Sequence, residues 1–365
     1  MAHSFPPYVG GLSHMVENVS KQLVKLGHSV EVVTLDPSGK LPLREEIHGV
    51  PVRRFYGLAP ANSYFMPHPK VYNYLRSVQA DLFHVHNIAA LLAPTCWLAI
   101  KEKRHQAGLV ISPHHHAEGS LWHTRLLWKP YRPIASWMAR SADVVHCVSE
   151  YEADLVREHF GIHPVVVPNG VSEDVFKYRW LPPKEGFVLT YAGRVERFKR
   201  VDMLIETASA LVSKGLQVKV RIIGDGADLE RLMALASRVE VAVEHSHFLD
   251  REEYISELSK SSCFVNLSKY EAYSIVAAEA IAIGLPVVLA NPWGSIFKGY
   301  SKNFLVDCTS VEDVANAILY ALSAEVAGTG PAFSWAEVAK KMVDYVYEPA
   351  LHAKVGIFNE YYFSK

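Results

Sequence analysis

The chain has 365 residues, half of them hydrophobic, and its 37 Lys and Arg nearly balance its 38 Asp and Glu, for a net charge of −1. That length predicts two domains of roughly 170 residues each. The even charge excludes a whole-surface field for nucleic acid or an anionic bilayer, so any anion binding has to be local.

Four widely spaced cysteines, Cys96, Cys147, Cys263 and Cys308, form no C-x-x-C pair. This argues against a zinc knuckle or a disulfide framework and fits a reducing, cytoplasmic setting. The start, MAHSFPPYVGG, lacks the basic and apolar regions of a leader. No window reaches the ~18 uninterrupted apolar residues of a membrane span, so the expectation is a cytoplasmic protein, at most peripheral at a membrane.

In chain order, NVSKQLVKLGHS reads as a helix, and VEVVTL, ADLFHVHN and SADVVHCVS read as strands. The alternation predicts a parallel βαβ sheet. Gly10-Gly11 looks like a loop leaving a first strand, yet only a few residues precede Pro6-Pro7. That strand is expected to be short or missing, or the true start lies upstream of Met1. The two glycines open onto LSHMVENVSKQL, where backbone N–H groups would meet a phosphate or sugar; a simple tight turn is the equal alternative.

Two histidine groups stand out: His84 and His86 on one face of LFHVH, and His114, His115 and His116 after LVIS. Without carboxylate or cysteine partners at ligand spacing they predict no metal site. A loop histidine at a strand's carboxyl end suits a hydrogen bond to substrate. The stretch Trp122 to Arg132, followed by IASWMAR, interleaves aromatic and basic residues. Interfacial membrane contact is one reading. The other, favoured because proline breaks a continuous amphipathic helix, is a core-packed helix pair.

After PNGVSEDVF and the linker WLPPKEG, the alternation restarts with FVLTYAGRV, QVKVRIIGDG, SCFVNLS and PVVLA, so a second parallel sheet begins near Phe187. The tail SWAEVAKKMVDYVYEPALHA reads as one more amphipathic helix. The fold class is α/β: two doubly wound Rossmann-like domains facing a central cleft. The boundaries are 1–170, 171–335 and a C-terminal helix and tail, 336–365, crossing back to the first domain.

Chemistry concentrates in the second half. Glu271 and Glu279 have seven residues between them, and Ser274 is a good N-cap for the apolar helix Ile275 to Ile283. The amides of Ile275 and Val276 are then free to meet an anion. The alternative is an ordinary capped helix with two solvated glutamates. Arg194 and Lys199 stand at the strand-to-helix turn after FVLTYA, where two fixed cations suit a departing pyrophosphate. A solvated basic helix face is the bland alternative. No D-x-D sequence occurs, so metal-independent departure of a nucleoside diphosphate is the sharper reading. Gly224 and Gly226 bracket Asp225 at a strand end and permit a tight turn and close approach to a ligand.

The ordered set FPPYVGGLSHMVENVSKQLVKLGHSVEVVT, DLFHVHN, ADVVHCVSEYEADLV, VPNGV, AGRVERFKRVDMLIE, IIGDG and EAYSIVAAEAIAIGLPVV resembles the retaining nucleotide-sugar glycosyltransferases of family four, with their GT-B architecture. The resemblance implies that Arg194 and Lys199 hold the donor diphosphate, that Glu279 bonds the ribose and that Glu271 touches the donor sugar. Ser274, Ile275 and Val276 would line sugar and phosphate. It further implies Gly11 near the diphosphate, His114 or His116 near the reacting sugar, and the base beside Phe248 and Leu249; Gly10 and Gly224, read from their turns, join the candidate donor-binding residues. Retention would pass through a short-lived oxocarbenium-like species, the departing phosphate helping to deprotonate the acceptor. Two positions depart from the family: Ser274 stands where glycine is usual, and NPWGS where a glycine-rich turn ending in glutamate is common.

The function this implies is hexose transfer from a nucleotide diphosphate sugar, as co-substrate, to a carbohydrate or lipid-linked acceptor, with no other cofactor and no nucleic acid. Acceptor contacts are expected from the first domain, including an aromatic loop RRFYGLAPANSYFMPHPKVYNY. A sugar-nucleotide epimerase and a non-catalytic sugar-nucleotide-binding subunit are the alternatives.

Overall fold

The computed structural model describes residues 1–8, 10–60, 65–101, 106–116, 122–323, 330 and 332–355, with the side chains of 122–125 and 354–355 excepted. They divide into two compact units: Met1–Asn169 with the described residues from Trp335 onward, and Gly170–Ser334.

The first unit runs α1 (Gly11–Lys25), β1 (Val32–Asp36), β2 (Arg44–Ile47), β3 (Val50–Leu58), β4 (Met66–Pro67), α2 (Lys70–Ser77), β5 (Leu82–His86), α3 (Leu92–Ile100), β6 (Gly108–Ser112), α4 (Trp122–Arg140), β7 (Val144–Cys147), α5 (Glu150–Phe160) and β8 (Val165–Val166). Strands β5 to β8 pair in order and in parallel. Strand β1 pairs in parallel with β3, which also takes β2 and β4 antiparallel.

The β2–β3 hairpin escaped the reading of the sequence, although its signal is local. His48 and Gly49 both have positive φ, 52° and 80°, as a two-residue turn matched to strand twist requires.

Between the two sheets, Ala2 N–H donates to Val33 O at 3.1 Å and His86 N–H donates to Met1 O at 2.9 Å. Two residues thus bond on both sides where a first strand was expected to be short or missing, and no strand among the described residues precedes α1. The aromatic stretch expected as one acceptor loop is instead divided among β3, β4 and α2, with residues 61–64 outside the described set.

Helix α4 corrects a second expectation, because Pro130 and Pro133 lie inside one continuous helix and do not split it. Both prolines are exposed. The carbonyls that lose a partner one turn earlier therefore face water, where the loss of an internal bond is cheapest.

The second unit runs β9 (Phe187–Ala192), α6 (Val201–Ser213), β10 (Val218–Ile223), α7 (Leu229–Arg238), β11 (Ala242–Ser246), α8 (Arg251–Ser259), β12 (Cys263–Asn266), α9 (Ile275–Ile283), β13 (Val287–Ala290), β14 (Asn303–Val306) and α10 (Val311–Leu322). Its six strands lie in the order β11-β10-β9-β12-β13-β14, all parallel. Strands β12 and β13 are buried throughout, whereas the edge strand β11 is half-exposed. This explains why CFVN and VVLA read as strands and AVEHS did not.

The described residues close with α11 (Trp335–Met342), a π-helical turn at Val343–Tyr347 and α12 (Glu348–Val355). Pro349 has no N–H to give the turn before it, and the wider π turn accommodates that loss.

Candidate functional site

In the second sheet the strand order turns at β9, which has β10 on one side and β12 on the other. Helices leave such a point toward opposite faces, and a crevice opens at the strands' carboxyl ends. The loops after β9 and β12 are tied together there. Lys269 N–H donates to Phe198 O at 2.9 Å. Lys199 Nζ donates to Glu271 Oε1 at 2.5 Å, the two side chains being only 13% and 15% exposed.

Asn266, the last residue of β12, donates through Nδ2 to Glu271 Oε1 and to Ser274 Oγ, each at 3.3 Å. One amide therefore orients both the carboxylate and the helix cap. Ser274 Oγ accepts the Ala277 N–H at 3.3 Å, and Gly284 ends α9 in the left-handed region at φ 89°. The hydroxyl that replaces the usual glycine is thus spent on the helix start. The amides of Ile275 and Val276, in the first turn, have no intrahelical acceptor, and they take none elsewhere among the described residues. Below this loop the NPWGS turn has a structural role: Trp293, fully buried, donates Nε1–H to Ser268 O at 2.8 Å.

Glu279 is not a solvated glutamate. It is 2% exposed, with Arg251 Nη1 at 2.7 Å from Oε1 and the Tyr254 hydroxyl donating to Oε2 at 2.7 Å. Arg251 also donates to Asp174 Oδ2 at 3.0 Å. Burial alone would lower the Arg251 pKa, but Glu279 and Asp174 outweigh it and raise the pKa, while burial and then Glu279 push the Tyr254 phenol well up. Phe248, by contrast, is 76% exposed in the loop two residues past β11, and Leu249 beside it is half-buried.

Gly224, expected to bring backbone to a ligand, brings it to another loop. A Cβ on Gly224, whose φ is 129°, would stand 2.2 Å from Gly193 O, and one on Gly226 2.0 Å from Val195 O. The bonds Gly193 N–H to Ile223 O at 2.9 Å and Val195 N–H to Asp225 O at 2.8 Å complete that interlock. It presents Arg194, exposed and without an ion-pair partner among the described residues.

Asp225, His245 and His247 gather nearby, each with one potential ligand atom within 4.8 Å of the others. They form the one group among the described residues that could hold a metal ion. His247 Nδ1 and Asp225 Oδ1 are already paired at 2.7 Å, and His245 Nε2 lies 3.0 Å from Gly224 O.

The remaining expected residues lie in the first unit. Gly10 precedes α1 with φ 169° and ψ 158°, and a Cβ at Gly10 or Gly11 would meet nothing within 4 Å. His114, in the left-handed region at φ 47°, has Nε2 3.1 Å from His86 Nδ1, and His116 is half-buried. The loop carrying them rests on Glu152, fully buried, whose Oε1 accepts His115 N–H at 2.7 Å and whose Oε2 accepts Val148 N–H at 2.8 Å.

Burial raises the Glu152 pKa to about 7 and lowers those of His114 and His115 to about 3 and of His146 to about 4. His84 and His86, whose rings lie 3.9 Å apart, are also held well below the ordinary value by burial. Ser112 Oγ sits between His84 Nε2 and His146 Nδ1, 2.7 Å from each.

Reading the sequence missed Asn266, Arg251, Tyr254, Asp174 and Glu152. Asn266 alone left a local signal, a polar residue ending an apolar strand.

Two Rossmann-like α/β units with parallel sheets, the second holding a capped helix start at its point of order reversal, are the parts of a GT-B nucleotide-sugar transferase. The chain belongs to glycosyltransferase family four: residues 9–175 match the family described as Glycosyltransferase Family 4, and residues 173–345 match Glycosyl transferases group 1.

Among curated relatives, it is 28% identical over 338 residues to a GDP-mannose:cellobiosyl-diphosphopolyprenol alpha-mannosyltransferase of Xanthomonas oryzae, covering 87% of this chain and 85% of that one. It is also 28% identical over 326 residues to a glycogen synthase of Mycobacterium tuberculosis, covering 80% and 77%. Of solved structures, sucrose-phosphate synthase from Thermosynechococcus elongatus aligns with a TM-score of 0.72 at 18% identity over 96% of both chains. Anabaena HepE in complex with UDP and glucose aligns at 0.71 and 16% identity, over 94% of this chain and 97% of that one. The last two likenesses speak for the fold. The chain is a glycosyltransferase.

Proposed function

We propose that the chain transfers a hexose from a nucleotide diphosphate sugar to a carbohydrate or lipid-linked acceptor, with retention at the anomeric carbon and without a metal ion. The observation that carries this reading is the union of Lys199 and Glu271 beside the unbonded amides at the start of α9. Lys199, Arg194 and those amides offer positive charge to a diphosphate that gains negative charge as the sugar bond breaks. Glu271, held by Asn266, accepts hydroxyls of the donor sugar. Glu279 serves the ribose from a buried position fixed by Arg251 and Tyr254, and exposed Phe248 offers a ring to the base.

In the first unit, His114 or His116 contacts the reacting sugar, and Gly10 and Gly11 leave space for phosphate oxygens. Retention follows if the sugar passes through an oxocarbenium-like species and the leaving phosphate takes the acceptor's proton on the same face. The named activity of the Xanthomonas relative, on a diphosphopolyprenol acceptor, favours a lipid-linked acceptor here.

The test is a panel of nucleotide diphosphate sugars incubated with the purified protein. Released nucleoside diphosphate is read by mass spectrometry, with and without a chelator, beside Lys199→Ala. Slow hydrolysis of one donor, lost in the variant and indifferent to the chelator, is expected. A strict need for a divalent ion overturns the two-cation account and directs attention to Asp225, His245 and His247. Neither turnover nor donor-induced thermal stabilisation overturns the donor site.

A further inference from the structure

Helix α4 contains no Asp or Glu in its 19 residues, WHTRLLWKPYRPIASWMAR. From Leu126 onward its residues divide into two faces. Ala135, Met138 and Ala139 are buried, and Trp128 and Tyr131 are half-buried, with the Tyr131 hydroxyl bonded to Ile88 O at 2.8 Å. Toward solvent stand Leu126, Leu127, Ile134 and Trp137, exposed by 63%, 51%, 48% and 58%, and with them Pro130 and Pro133.

At 100° per residue, Leu126, Trp137, Pro130, Ile134 and Leu127 fall within about 100° of arc, with Pro133 at its edge. Arg140, Lys129 and Arg132, all exposed, fall together on the flank next to Pro133. A stripe of large apolar side chains at helical spacing, bordered on one side by three cations and the half-buried Ser136, is a poor surface for water and a good one for a bilayer interface. Trp137 also packs on Trp97, the ring centroids 4.2 Å apart, so the stripe has a rigid base.

We infer that the outer face of α4 docks the protein on an anionic phospholipid surface. Leu126, Leu127, Ile134 and Trp137 enter the headgroup boundary, and Lys129, Arg132 and Arg140 meet lipid phosphates. Charge complementarity selects this occupant: the whole chain is nearly neutral at −1, yet this face is basic with no acidic residue on its helix. The docking deepens the lipid-linked reading of the acceptor and rests on it for its purpose. A polyprenol-linked sugar lies at such a surface.

The experiment is vesicle flotation of the full chain. It uses phosphatidylcholine vesicles with and without one quarter phosphatidylglycerol, beside Lys129→Glu/Arg132→Glu and Leu126→Ser/Leu127→Ser. Each basic residue near an anionic surface is worth about fivefold in partition. The expected result is binding to the anionic vesicles, weaker by at least about tenfold on neutral vesicles and in each double variant. Donor hydrolysis by the charge variant should be unchanged, which separates a failure of docking from a failure of the donor site. No flotation, or equal flotation of all three proteins, overturns the proposal. Self-association without lipid that only the leucine variant abolishes also overturns it, in favour of a second copy on this face.

Discussion

Lys199 Nζ and Glu271 Oε1 meet at 2.5 Å across two loops that leave neighbouring strands on either side of the reversal in strand order. With only 13% and 15% of the side chains exposed, the pair is shielded enough for each charge to hold the other. It fixes the ammonium and the carboxylate relative to one another, which is the preorganisation the proposed electrostatic role requires.

Lys199→Ala and Glu271→Ala are each expected to lower turnover by at least ~100-fold, the scale of one positioned electrostatic group. The double variant should fall well short of the product of the two losses, because either change already dissolves the unit. Full multiplicative loss in steady-state kinetics would mean that the two side chains act apart.

Arg251→Ala leaves Glu279 almost fully buried with its cation gone. The expected cost is about 3 kcal/mol of stability in the Gly170–Ser334 unit, together with a raised KM for donor. Arg251→Lys should recover the stability in part, since charge returns without the reach to both Glu279 and Asp174. Chemical denaturation beside donor titration reads both, and wild-type stability in Arg251→Ala would show that Glu279 is held by Tyr254 alone.

Gly224→Ala places a methyl 2.2 Å from Gly193 O on a backbone at φ 129°, so backbone must move. A loss of at least about 2 kcal/mol is expected, seen as a melting temperature lower by roughly 5 °C. Gly11→Ala, with nothing within 4 Å of the added carbon, should melt as the parent does. Equal melting of both variants would contradict the loop interlock.

Acid should destabilise the first unit. The folded pKa values of about 3 for His114 and His115 and about 4 for His146 lie below the ~6.5 of an unfolded histidine. Their contribution is therefore complete above pH 6.5 and is lost as pH falls toward the folded values. Each imidazole loses about 2 kcal/mol between pH 6.5 and 5. Glu152 runs the other way: with a folded pKa of about 7 against 4.5, its contribution is complete below 4.5 and fades as pH rises through 7. Three such imidazoles, joined by His84 and His86, outweigh one carboxylate, so melting temperature should drop steeply from pH 7 to 5. His146→Gln should flatten the slope, and a curve indifferent to it would mean that His146 is charged when folded.

The sequence disclosed whatever had a short period or a local cap. Ser274 before an apolar run ending in Gly284 announced α9, and VVLA and CFVN announced buried strands. Apart from the β2–β3 hairpin and Asn266, whose signals are local, much of what it hid depends on distance along the chain. Arg251 reaches back to Asp174, 77 residues away, and no pattern in DREEY reports that. Pro130 and Pro133 suggested a break because the rule against interior proline assumes a carbonyl with nowhere to turn, whereas both face water. Gly224 was read as a close approach to a ligand; the backbone it approaches in the fold is that of Gly193.

That neighbour matters to anyone who would retune donor choice. With Gly224 and Gly226 seated on the backbone of Gly193 and Val195, the two loops are one mechanical part with a single template shape. A library that diversifies residues 193–196 alone will mostly sample misfits, whereas paired libraries over 193–196 and 224–228 keep the joint and change only what projects from it.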